Sequence, residues 1–159
     1  ERSIITSSFG KTYHVTGWKV GYLTAPKYLL DEIKKVHQFL IFSVNSPAQE
    51  AFAKYLPASN PAALAAFYKS KRDLFRSSLE SSRFKLLPCD GTYFQVLDFS
   101  AISSLSDKDF CVWLVKEIGV AAVPLSAFYG DKKDQKLIRF CFAKDETTLL
   151  KATEKLCKI

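Results

Sequence analysis

Apolar residues recur at helical spacing along much of the chain and alternate elsewhere. After Pro26, Leu29, Ile33, Val36 and Leu40 fall three or four residues apart, forming one stripe of a helix that has proline in its first turn. Phe39-Leu40-Ile41-Phe42 then runs into Ser43-Val44-Asn45-Ser46-Pro47. There Ser46 is expected to cap a second helix, with Pro47 at its first position and an end near Leu56-Pro57. A long helix, Pro61 to Ser82, follows with Leu64, Phe67, Tyr68, Leu74, Phe75 and Leu79 on its apolar side. Ser106 begins another, with Asp109 at the third position after the cap, and Phe110, Trp113, Leu114 and Ile118 facing inward. Gly119 suits its C-terminal cap. Asp145 caps the last helix, whose inner side carries Leu149, Leu150, Thr153 and Leu156.

The intervening segments read as strands: Ser3–Thr6, Val20–Leu23, Phe84–Leu87, Thr92–Phe99, Val120–Val123 and Leu137–Phe142. Helices packed on a small mixed sheet make an α/β sandwich. Ala58-Ser59-Asn60-Pro61 is the clearest punctuation, and a domain boundary is expected near it.

With 159 residues, 48% of them apolar, the chain can bury a sizeable core. It contains neither a secretory signal nor an apolar run near the length that spans a bilayer. Glu1 is followed within three residues by a strand-like segment, so the sequence is expected to be the C-terminal piece of a longer protein. The net charge of +7 comes mostly from lysines scattered at helix spacing, as on a solvated face, and no basic doublet is interleaved with aromatics as in an RNA-binding motif. No two of Cys89, Cys111, Cys141 and Cys157 have zinc-knuckle spacing; reduced thiols in a cytoplasmic protein are expected, with no metal.

Candidate chemistry concentrates in Ser7–Tyr22, which holds Lys11 beside Gly10 and Lys19 between Gly17 and Gly21. A lysine held in a partly desolvated pocket can attack a carbonyl, whereas a lysine in a loop after a strand is commonly a solvated surface charge. Ser7, Ser8 and Lys19 could cradle an anion with glycine-rich backbone amides, or could be an ordinary turn. Arg139 interrupts the apolar run Leu137–Phe142, so it stands either at a sheet edge or paired with a carboxylate. His14 and His37 lack partners for a catalytic triad, and His37, close to an apolar stripe, reads as packing.

Together these residues resemble a known family. Ser8-x-x-Lys11 followed by Thr16-Gly17-Trp18-Lys19-x-Gly21-Tyr22 looks like the cofactor-lysine segment of the class I and II aminotransferases, pyridoxal-phosphate enzymes of fold type I. Gly91-Thr92-Tyr93-Phe94, then Gly119 to Pro124 with Ser126 and Phe128, then Ile138 to Lys144 continue the likeness in order. Within the family the pattern is similar to the branch of bacterial methionine aminotransferases and kynurenine aminotransferases. The resemblance implies transfer of the amino group of methionine, or of an aromatic or apolar amino acid, to a 2-oxo acid. It implies that Lys11 would attach the cofactor and shuttle a proton, that Ser8 and Lys19 would bind its phosphate, and that Arg139 would grip the substrate carboxylate. Phe42 would reach into the substrate pocket of a neighbouring subunit in a homodimer.

The resemblance also implies a division into 1–25, the end of a large cofactor domain, 26–60, connecting helices, and 61–159, a small domain. In the family the aspartate on the pyridine nitrogen, the tyrosine on the cofactor hydroxyl and the ring-stacking aromatic precede the lysine, so this chain alone is expected to be inactive. A C–S β-lyase on the same fold and a non-catalytic interaction domain are the alternative readings.

Overall fold

The computed structural model describes residues 2–159, which divide into two compact units, one up to Leu64 and the other Ala65–Ile159. In the first unit β1 (Ile5–Ser8) and β2 (Gly21–Thr24) pair antiparallel, with Ile5 opposite Thr24 and Ser8 opposite Gly21. β1 therefore starts two residues later than the apolar pattern predicts, because its pairing with β2 defines it rather than its hydrophobicity. Between the strands lie α1, the single turn Phe9–Thr12, and a 3₁₀ turn, Thr16–Trp18. Then come α2 (Lys27–Leu40) and α3 (Ser46–Tyr55). The cap of α3 is Asn45, whose carboxamide oxygen accepts from the Ala48 amide at 2.9 Å, so Ser46 is already helical and is not the cap. This unit's buried core is small: Val20, Ala48 and Phe52, with Phe9, Tyr13 and Val15 packed against it. No residue of α2 is buried, and Val36 and Leu40 of its expected inner stripe are exposed.

The second unit is a two-layer α/β sandwich. Its sheet has the order β3 (Lys85–Leu86), β4 (Phe94–Asp98), β6 (Leu137–Cys141), β5 (Val123–Pro124). Every pairing is antiparallel, so the sheet is not mixed as expected; the chain crosses from β4 past one strand position to β5, and β6 then fills that position antiparallel to both. Gln95, Leu97, Ile138 and Phe140 alternate onto one face, where the helices α4 (Pro61–Ser77), α5 (Asp107–Trp113) and α6 (Glu146–Leu156) supply Phe75, Phe110, Leu149 and Leu156. Phe99 stacks on Phe110 with ring centres 4.1 Å apart.

Local signals decide several boundaries in this unit. Asp109 N–H donates to Ser106 Oγ at 3.1 Å while that hydroxyl donates to the Asp109 carboxylate at 2.6 Å, which closes the start of α5. α5 continues through a π-helical turn, Leu114–Ile118, and ends at Gly119 with φ +73°. There the Val120 amide bonds back to Leu114 O, which holds Val120 in the helix cap and delays β5 until Val123. α4 stops at Ser77 rather than Ser82, since the Leu79, Glu80 and Ser82 amides bond only three residues back while Leu79 turns fully into the core. Asp145 caps α6 as expected, but Leu150 is 48% exposed and is not on its inner side. The cysteines are free, and burial, with nearby Asp107 adding to it, pushes the Cys111 thiol up to about 12.

Candidate functional site

The first group of candidate residues sits at the end of the β1/β2 ribbon. Ser8 ends β1 in extended backbone and caps α1, its Oγ accepting from the Gly10 amide at 3.1 Å. Accepting there leaves the hydroxyl's own hydrogen to donate elsewhere. Lys11 follows on the same turn and is exposed. Ribbon pairing places Ser8 opposite Gly21, and the Phe9 amide bonds to Val20 O at 3.2 Å, so Lys19, just before Val20, returns to the same end. Lys19 is held in the left-handed region at φ +54°, a conformation that costs a non-glycine residue energy and persists only where its surroundings impose it.

The ribbon leaves no room for a side chain at Gly21, where a Cβ would lie 2.4 Å from Ser7 O. Gly21→Ala is therefore expected to shift Ser7 and Ser8 and to weaken cofactor uptake by the full-length protein, with Gly17→Ala, which meets nothing within 4 Å, as the control in the same titration. A hydroxyl, an ammonium and a strained backbone turn at one ribbon end form a donor set that fits a phosphate, and Lys11 beside them supplies an amine that fits an aldehyde.

Phe42, just past α2, is 86% exposed and has φ +63°. It is not part of a core in this unit.

Arg139 stands in the second unit. It lies on β6, between β4 and β5, on the sheet face opposite Ile138 and Phe140. Neither alternative read from the sequence holds: the strand is not at an edge, and no carboxylate among the described residues pairs with Arg139. Instead the guanidinium carbon sits 3.9 Å from the Phe94 ring centre and 4.8 Å from that of Phe128. Its Nε is buried with no hydrogen-bond partner. Aromatic faces hold the plane of the cation while its charge stays uncompensated, an arrangement suited to a bidentate anion.

The roles of Phe94 and Phe128 against Arg139 are not apparent from spacing. Asp107 is missed altogether, because an acid just after Ser106 reads as part of the helix cap. It is 1% exposed, and its two carboxylate oxygens accept from Ser126 N–H and Ser126 O–H, each at 2.7 Å. The Asp107 amide donates to Asp134 at 3.3 Å. Burial raises the Asp134 carboxyl's pKa, but hydrogen bonds from the Lys136 amide and ammonium outweigh this and hold it below the ordinary value.

The chain belongs to the class I and II aminotransferase family, whose model matches residues 1–156. It is 56% identical to methionine aminotransferase of Escherichia coli (strain K12), over 98% of this chain and 41% of that protein. Kynurenine–oxoglutarate transaminase of Dictyostelium discoideum is 36% identical over 100% of this chain and 42% of its own length. A crystal structure from Escherichia coli, described as identifying a methionine aminotransferase function, superposes with a TM-score of 0.95 at 55% identity, covering 100% of this chain and 43% of that one. The chain thus spans about two-fifths of the length of the relatives it matches, and the match lies over their C-terminal part. The family implies pyridoxal phosphate as cofactor.

Proposed function

We propose that this chain is the C-terminal portion of a pyridoxal-phosphate aminotransferase that moves the amino group of methionine, or of an aromatic or apolar amino acid, to a 2-oxo acid. The observation that carries this reading is Arg139, a half-buried guanidinium flanked by Phe94 and Phe128 with no carboxylate among the described residues to neutralise it. A substrate α-carboxylate supplies that missing charge. Ser8 and Lys19 would hold the cofactor phosphate, and Lys11 would hold the cofactor through its amine. When bound, the cofactor supplies the electron sink for negative charge at the substrate Cα. Lys11 would then carry the proton to and from that carbon.

Residues 1–25 would close a large cofactor domain, 26–60 would connect, and 61–159 would form the small domain. The 159 residues alone would not transfer amino groups. The partner would be a second copy of the protein, in the cytoplasm: Phe39 and Phe42 are each 86% exposed, and Leu40 and Ile41 beside them are also exposed. Apolar surface of this kind marks an interaction site, and Phe42 would enter the other copy's substrate pocket from there.

The test gives methionine and a 2-oxo acid to the full-length protein. Equal amounts of the 2-oxo acid of methionine and of a new amino acid are expected. Pyruvate and a free thiol from a sulfur-bearing amino acid, with no amino group transferred, would identify an elimination enzyme instead. A protein that takes up no cofactor would be a non-catalytic interaction domain.

A further inference from the structure

We propose that Asp107 is a positioning residue for Arg139, acting through Ser126 and Phe128; the inference rests on the carboxylate-binding role proposed for Arg139. Phe128 lies against the guanidinium, yet it is 59% exposed, so burial does not hold it in place. Its position comes from the backbone that carries it. That backbone leaves β5, where Val123 pairs with Arg139, and enters the 3₁₀ turn Leu125–Phe128.

Ser126 is the anchor of this turn. It is 2% exposed, and both its amide and its hydroxyl donate to Asp107, so the two oxygens of one carboxylate fix the turn in position and in rotation. Asp107 is itself anchored, because it opens α5, whose Phe110 and Cys111 are buried in the core. The chain returning to β6 is tied to the same point: the Asp107 amide donates to Asp134, and Lys136 Nζ donates to Asp134 and to the Ser104 and Leu105 carbonyls.

A buried carboxylate is costly, and among the described residues no cation pairs with Asp107. Capping does not account for it, since Ser106 caps α5 and Asp109 closes the reciprocal bond to it. What the carboxylate does achieve is a fixed turn beside a guanidinium whose buried Nε has no hydrogen bond to orient it. A bidentate contact requires the plane of the guanidinium to be set in advance, and Phe128 is one of the two rings that set it.

The measurement is the affinity of the cofactor-loaded, full-length protein for an amino acid divided by its affinity for the amine that lacks the carboxylate, with KM and kcat determined separately. Ser126→Ala removes one hydroxyl and is expected to lower that ratio about tenfold, through KM, with kcat little changed. Asp107→Ala should lower it similarly. Asp107→Asn should restore most of it, since its amide can accept from the Ser126 amide and donate to the Ser126 hydroxyl. Should Asp107→Ala fail to fold, Ser126→Ala carries the test. A purely structural role would lower the melting temperature and leave the ratio unchanged, and that result overturns the inference while the Arg139 reading stands. If the wild-type protein itself does not prefer the acid to the amine, and Arg139→Ala changes nothing, both readings fall.

Discussion

Lys11→Ala is expected to stop amino-group transfer by the full-length protein, lowering the rate of 2-oxo acid formation at saturating substrate by at least about 10²–10⁴-fold, the range assignable to a lost proton carrier alone. The expectation follows from where the ribbon puts the residue. Ser8 terminates β1 and caps α1, so Lys11 on that turn and the strained Lys19 are carried by backbone at the same ribbon end. Lys11→Arg should be almost as inactive, since a guanidinium keeps the charge but neither attacks a carbonyl nor releases a proton near neutral pH. Lys11 is exposed and is not in this unit's core, so neither change should move the unfolding midpoint by more than roughly 0.5 kcal/mol equivalent. Borohydride reduction of the loaded protein followed by peptide mapping gives an independent readout, with cofactor fixed to the peptide containing Lys11 in the wild type and absent from it in either variant. Transfer persisting in Lys11→Ala would remove Lys11 from the chemistry.

How much of this arrangement can be read from the sequence depends on how local each cause is. The caps at Ser106 and Asp145 and the stop at Gly119 are legible, because each is a contract between residues three to six positions apart. Asn45 rather than Ser46 caps α3, a shift of one position that propensity alone does not decide, since both residues are good caps. The strand pattern of Leu137–Phe142 is legible, but the surroundings of Arg139 are not. Its two rings come from Phe94 and Phe128, brought to it by a register of β4 with β6 and by the turn after β5. Asp107 is the extreme case, because its partner Ser126 lies nineteen residues away across a turn, and its position beside a cap offers a sufficient local explanation for an acid. α2 has a clear apolar stripe that this unit leaves unburied, since periodicity reports that a face will be covered and not what covers it.

Arg139→Ala is expected to weaken amino-acid binding while leaving the cofactor attached. Truncating one partner of a buried, bidentate charge pair costs on the order of 2–5 kcal/mol, which is roughly thirtyfold to several thousandfold in affinity. Titrating the cofactor-loaded protein with methionine measures it, and cofactor content per chain supplies the control. Arg139→Lys should fall between the two, keeping the charge but losing the fork that meets both carboxylate oxygens. Stability separates this role from a structural one. A guanidinium that stabilised the sheet would show a melting loss on truncation, but here the substitution removes a buried Nε that has no hydrogen bond, and that relief offsets the lost contacts with Phe94 and Phe128. Cation–ring contacts contribute about 0.5–2 kcal/mol and an unsatisfied buried donor costs about 1–3 kcal/mol, so the net change in folding stability should be small. A large loss of ligand affinity with little loss of stability marks a cation kept for a ligand. Unchanged methionine affinity in Arg139→Ala would leave the guanidinium without a function and remove it from the site.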